Sequence, residues 1–141
     1  MKARAKIFNQ VLLLLTAALL PMNLMAKDGD PDIKPKQRLA VATKVLKNKS
    51  NTVAVYVKGL VCSSCGIGVK VHLRKIKGVD KSQKNKGVSL DINSQLATIS
   101  LKPGVSLSNA DIAKAVKKAG YEAAVVYRKS GSKVTSSNIS K

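Results

Sequence analysis

The stretch TVAVYVKGLVCSSCGIGVKVHLRKIKG, residues 52–78, decides the fold. Its first six residues alternate. Val53, Val55 and Val57 share one side and Tyr56 lies opposite, on what should be the sheet's open face, which is the period of a strand. Beyond the next few residues the period changes. Cys65, Val69, Leu73 and Ile76 recur three or four apart, which predicts a helix from Ser64 to Lys77, stopped by Gly78. Between strand and helix runs Gly59-Leu60-Val61-Cys62-Ser63-Ser64-Cys65, holding both cysteines of the 141-residue chain.

Working outward toward the C-terminus, Val88 to Ile92 alternates again, Asn93-Ser94 is a turn, and Leu96 to Leu101 is a third strand ended by Pro103-Gly104. Ser108 has the chemistry of a helix N-cap, with Asp111 three residues on as an acidic capping partner. Ile112, Ala115, Val116 and Ala119 make the apolar stripe of a second helix, and Gly120 is its stop. Glu122 to Tyr127 reads as a fourth strand, with Ala123, Val125 and Tyr127 on one side. The order strand-helix-strand-strand-helix-strand predicts an α+β, ferredoxin-like βαββαβ sandwich: a four-stranded antiparallel sheet with two helices on one face.

Toward the N-terminus, Lys2, Arg4 and Lys6 precede an apolar run from Val11 to Leu20, a break at Pro21 and the small residue Ala26. That is the layout of a signal peptide, residues 1–26, and it implies export, with the periplasm as destination. The run is short of the ~20 apolar residues of a spanning helix. Residues 27–51 read as a flexible basic leader. Leu39 to Leu46 is an apolar island in it, whose periodicity does not choose between helix and strand. Residues 129–141 are rich in Ser and Lys and read as a disordered tail. The domain proper is 52–128.

The chain carries 26 basic and 7 acidic residues, a net charge of +19. Without the three cations of residues 1–26 it keeps 23 against 7, or +16. Such a surface favours an anionic partner: acidic lipid, polysaccharide or protein. Nucleic acid fits poorly, because aromatic residues that would stack on bases are scarce: no Trp, one Phe and three Tyr. One His, one Glu and six Asp form no catalytic group with the cysteines, so the chain reads as a binding module rather than an enzyme.

Cys62 and Cys65 can hold a soft metal, exchange a disulfide or act as an inert staple. A cysteine in the first turn of a helix has its thiolate favoured by unpaired N–H groups and the helix dipole. Thiolates select soft or borderline ions over Mg or Ca, so two of them suit Cu(I) or Hg(II). A closed structural zinc site wants four ligands, which a chain with two cysteines and one His cannot build from cysteine; Zn(II) or Cd(II) would need ligands from outside. His72 lies two turns beyond Cys65, ~10 Å down the helix, and reads as a flanking histidine rather than a ligand. Ser63 and Ser64 read as helix-capping residues.

The loop Gly59-Leu60-Val61-Cys62-Ser63-Ser64-Cys65 resembles the Gly-Met-x-Cys-x-x-Cys loop of the heavy-metal-associated domain family, which includes copper chaperones, modules of metal-pumping ATPases and periplasmic mercuric-ion binding proteins. Val69 and Leu73, Gly78-Val79 and Ala119-Gly120-Tyr121 extend the likeness over about residues 52–127. The resemblance implies Cys62 and Cys65 as metal ligands, Tyr121 beside them, and Leu60 in place of the family's Met, packed under the loop. It implies a carrier that passes Cu(I) or Hg(II) by thiolate exchange to or from a protein with exposed cysteines, such as a membrane transporter. Two departures stand out. Gln83 to Gly87 reads as an insertion, and Gly66 and Gly68 weaken the first helix by up to ~1 kcal/mol each, implying a site that orders partly on binding. Two other readings remain beside the carrier: a CxxC thiol–disulfide redox module, and a basic protein that binds the envelope or another anionic polymer.

Overall fold

The computed structural model describes residues 33–139. The signal-peptide reading and the first six residues of the leader lie outside the described residues. The elements are α1 (Pro35–Lys47), β1 (Thr52–Lys58), α2 (Gly66–Arg74), β2 (Val88–Asp91), β3 (Leu96–Ser100), α3 (Asn109–Lys118), β4 (Glu122–Ser130) and β5 (Lys133–Asn138). The sheet runs β2-β3-β1-β4-β5, with every neighbouring pair antiparallel. Its first four strands, with α2 and α3, are the ferredoxin-like framework expected from the sequence; the fifth strand is an addition.

Alternation along β1 sorts its side chains as expected. Val53, Val55 and Val57 enter an apolar layer with Val69 and Leu73 of α2 and Ile112 and Val116 of α3. On α3, the Ser108 hydroxyl accepts from the Asp111 N–H at 3.0 Å and donates to its carboxylate at 2.7 Å, the reciprocal cap that starts the helix. Gly120 closes the far end with φ +84°, a left-handed turn that favours glycine.

The leader expectation needs correction. Residues 35–47 form α1, packed on the other face of the sheet through Ala42 and Leu46 against Ala54, Leu96 and Tyr127. Pro35 opens the helix with the φ a first turn wants, and the Gln37 side chain accepts from the Lys34 N–H at 3.2 Å. The sheet's second face is therefore covered. Tyr56 is half-buried beneath the Arg38 guanidinium, 3.4 Å from its ring centroid.

The disordered tail is also corrected. Lys133–Asn138 pair with Val125–Ser130 of β4 across a turn at Gly131, where φ is +59°. All of β5 is exposed except half-buried Val134, so no apolar period marks it in the sequence. Backbone pairing holds it, helped by the Thr135 hydroxyl, which donates to the Arg128 carbonyl at 3.3 Å, and by Val134 at the margin of the α1-side cluster.

β4 departs from the expected alternation. The β1–β4 register shifts between Tyr56 and Val57, leaving Ala124 without a partner in β1. This bulge changes phase midway along the strand. Ala123 and Val126 face the α2–α3 layer, whereas Val125 and Tyr127 face α1.

Residues 83–87, read as an insertion, make a one-turn 3-10 helix over Lys84–Gly87, with Asn85 and Lys86 at φ 56° and 52°. Gly87 sits where any Cβ would collide with the Asp80 carbonyl oxygen. The Arg74 fork donates twice to the Asn85 carbonyl, at 3.2 and 2.8 Å, and so braces the end of α2. Among the described residues, no helix is long and apolar enough to cross a membrane.

Candidate metal centre

The loop between β1 and α2 begins with a turn only glycine enters easily. Gly59 has φ +76°, and a Cβ there would meet the Tyr121 ring at 4.0 Å. Tyr121 thus stands beside the start of the loop, half-buried, its N–H held by the Val116 carbonyl at 3.2 Å. Leu60 is fully buried beneath the loop. A large apolar side chain at this point anchors the loop to the core.

Cys62 is half-buried and Cys65 exposed, with Ser63 and Ser64 exposed between them. The two cysteines are joined as a disulfide, with Cα atoms 5.2 Å apart. Cys65 holds the N-cap position of α2, and its N–H donates to Cys62 Sγ at 3.1 Å. The Ser64 hydroxyl lies 3.3 Å from the same sulfur. Cys62 Sγ therefore has two hydrogen-bonding groups beside it at the positive end of a helix.

The expected capping role of Ser63 and Ser64 does not hold. α2 has no side-chain cap; the Ile67 N–H is taken by the Ser64 carbonyl at 3.2 Å and the Cys65 N–H by sulfur. A sulfur that accepts the N–H leaves the serine hydroxyls outside the helix end.

One of the two glycines of α2, Gly66, has a packing reason. At Gly66 a Cβ would run into the Leu90 side chain of β2 and lie 3.3 Å from Leu60, so the helix start can sit this close to the sheet only without one. Gly68 faces Ala119, 3.7 Å from where its own Cβ would be. Close approach therefore accounts for Gly66, whereas Gly68 makes only an ordinary contact and its place in the helix has no packing explanation. The periodic pattern could not show this, because it does not say which neighbour a glycine meets.

Across the strand ends, Lys58 and Glu122 form an exposed ion pair at 2.8 Å, flanking Gly59 and Tyr121 in the chain. The Glu122 carboxylate, by accepting that hydrogen bond, raises the Lys58 ammonium above its ordinary value. Sequence reading missed this pair, since its partners are 64 residues apart. His72 is on the α3 side of α2, half-buried in the groove between the helices. Among the described residues, no three His, Cys, Asp or Glu side chains gather as a metal-holding group. What the loop brings together is two sulfurs, joined to each other, beside the exposed Ser63 and Ser64.

No protein-family model matches the chain, and no curated protein matches it. Among solved structures it is similar to a chain described as "Crosstalk between Cu(I) and Zn(II) homeostasis", with 22% identity over 52% of this chain and 96% of that one, at a TM-score of 0.42. It is also similar to a copper binding domain from HMA7, a P-type ATPase, with 26% identity over 52% of this chain and 90% of that one, at the same TM-score of 0.42.

Proposed function

We propose that this protein is an exported carrier of a soft metal cation, Cu(I) or Hg(II), held by Cys62 and Cys65 and passed on by thiolate exchange. The observation that carries this reading is the pairing of two cysteines on an exposed loop, with Cα atoms 5.2 Å apart, at the N-terminus of α2. The disulfide must first be reduced by an external dithiol, which supplies two electrons and two protons. The cation then displaces the two thiol protons and takes both sulfurs. An incoming thiolate from an acceptor protein adds as a third sulfur; one of the chain's own sulfurs leaves, then the other. A two-sulfur site gives its cargo away more readily than a closed four-ligand site. The basic start of the chain, Lys2 to Lys6, followed by the apolar run 11–20, supports export.

Titration of the reduced protein with Cu(I) and Hg(II), beside Cys62→Ser and Cys65→Ser, tests the carrier. Each substitution should weaken binding at least about a hundredfold, the scale of losing one of two ligands. Unchanged affinity in both variants overturns it.

The disulfide itself favours a second reading, a thiol–disulfide exchange module. Here a substrate thiolate attacks one sulfur of the pair, forms a mixed disulfide and releases the other as thiolate; a second substrate thiol then resolves it, leaving the pair reduced and the substrate oxidised. This reading predicts turnover of dithiol substrates by the oxidised protein and no tight metal uptake by the reduced one.

A further inference from the structure

The outward ridge of α2 combines two features that seldom coincide on a surface. Ile67 and Val71, one turn apart, are 60% and 41% exposed. Lys75 continues their line at the next turn and is exposed. Beside that ridge runs the groove between α2 and α3, about 290 Å³, where Lys75, Lys77, Lys114 and Lys118 meet a single carboxylate, Asp111. Protruding apolar side chains ringed by lysines are the pattern of a surface that rests in a headgroup layer: the apolar tips enter the acyl boundary and the ammonium groups take lipid phosphates.

We propose that the α2 ridge and the α2–α3 groove dock this protein on an anionic lipid bilayer. Charge favours that occupant over an acidic protein patch. Cations also stand on α1 (Lys36, Lys44), on the 3-10 turn (Lys84, Lys86) and on β5 (Lys133), so charge alone orients nothing against a small acidic site. An extended anionic plane attracts all of them, and the apolar pair on α2 decides which side goes down. Docked so, Cys65 stands two residues from Ile67 at the lipid surface. Bilayer docking needs neither sulfur as a ligand, so it stands or falls apart from metal uptake.

The test is co-sedimentation of the chain, as its host releases it in soluble form and with the disulfide intact, with vesicles of phosphatidylcholine alone or mixed with phosphatidylglycerol. Binding should require phosphatidylglycerol and fall as salt rises. The double variant Ile67→Ser, Val71→Ser should bind about tenfold more weakly at unchanged charge. Lys75→Glu with Lys118→Glu should also lose about tenfold or more, whereas Lys44→Glu with Lys133→Glu, an equal charge change elsewhere, should lose less than about threefold. All these sites are exposed, and unchanged circular dichroism confirms each fold. Equal losses in both charge variants, no loss in the serine variant, no binding to either vesicle, or tighter binding to polyglutamate than to the anionic vesicles would each overturn bilayer docking.

Discussion

On the face that carries α2 and α3, the sheet meets an apolar layer: valines of β1, Ile99 of β3, Leu73, Ile112 and Val116, all fully buried or nearly so. On the face that carries α1, the fully or nearly buried apolar set is five residues, Ala42, Leu46, Ala54, Leu96 and Tyr127. There the seal is completed by a buried cation. Arg38 is 4% exposed; it donates to the Ser94 and Ile33 carbonyls and to Gln95 Oε1, at 3.1 to 3.2 Å, and stacks on Tyr56. The comparison teaches that one sheet can be covered by two kinds of adhesion. One face uses area removed from water, which is indifferent to small shifts. The other uses a few directional bonds that work only when α1 is in register.

The largest effect should come from the first face. Leu73→Ala should lower unfolding stability by about 2–5 kcal/mol, and Leu46→Ala should cost near the low end of that range, because a single overlying helix can settle into the gap. Denaturant unfolding of both variants checks this; a larger loss at Leu46 would reverse the ranking of the two faces. Next comes Arg38→Met, which keeps bulk but leaves Gln95 and the Ser94 carbonyl without their donor. A loss of about 2 kcal/mol is expected, with amide exchange in α1 speeding up before exchange in β1. A variant as stable as the parent would mean that α1 adheres by area after all.

The smallest effect sits at the rim between the faces. Asp80 accepts from the Ser82 hydroxyl and N–H and from the Gln83 amide, and these bonds hold its carboxyl below the usual carboxylate range. Its pKa is thus lower folded than unfolded, so the ionised group stabilises the fold above the unfolded value and that contribution is lost as pH falls through the folded one. Asp80→Asn should therefore narrow the stability gap between neutral and acidic pH, read as melting temperature against pH. An unchanged gap would show that these bonds form equally well with a neutral side chain.

How much of this was legible depended on which force made each element. β1, β3, α2 and α3 are held by apolar burial, and Val53, Val55, Val57, Ile112 and Val116 announce them by period. The cysteine loop was legible too, because Gly59, Leu60, Cys62 and Cys65 each carry a distinct constraint. α1 was half legible: the island from Leu39 to Leu46 showed, but its anchor is Arg38, a residue type that normally signals exposure. β5 was not legible, since its pairing is mainly backbone to backbone and Thr135, Ser136 and Ser137 are exposed. The phase change at Ala124 was hidden for another reason. An extra residue of one methyl group fits either face, so nothing in its chemistry marks it.

That extra residue links two distant parts of the chain. Past Ala124 only two rungs of β1 and β4 remain, Val57 with Ala123 and Lys58 with Glu122. They carry Gly59 on one side and Tyr121 on the other, like a short arm beyond an elbow. The Ala124 carbonyl accepts the Ile139 N–H at 2.8 Å, so the final described turn of chain latches the elbow from the far edge. Trimming the protein at its C-terminal end would therefore reach the sulfurs, by freeing the angle at which their loop is held out.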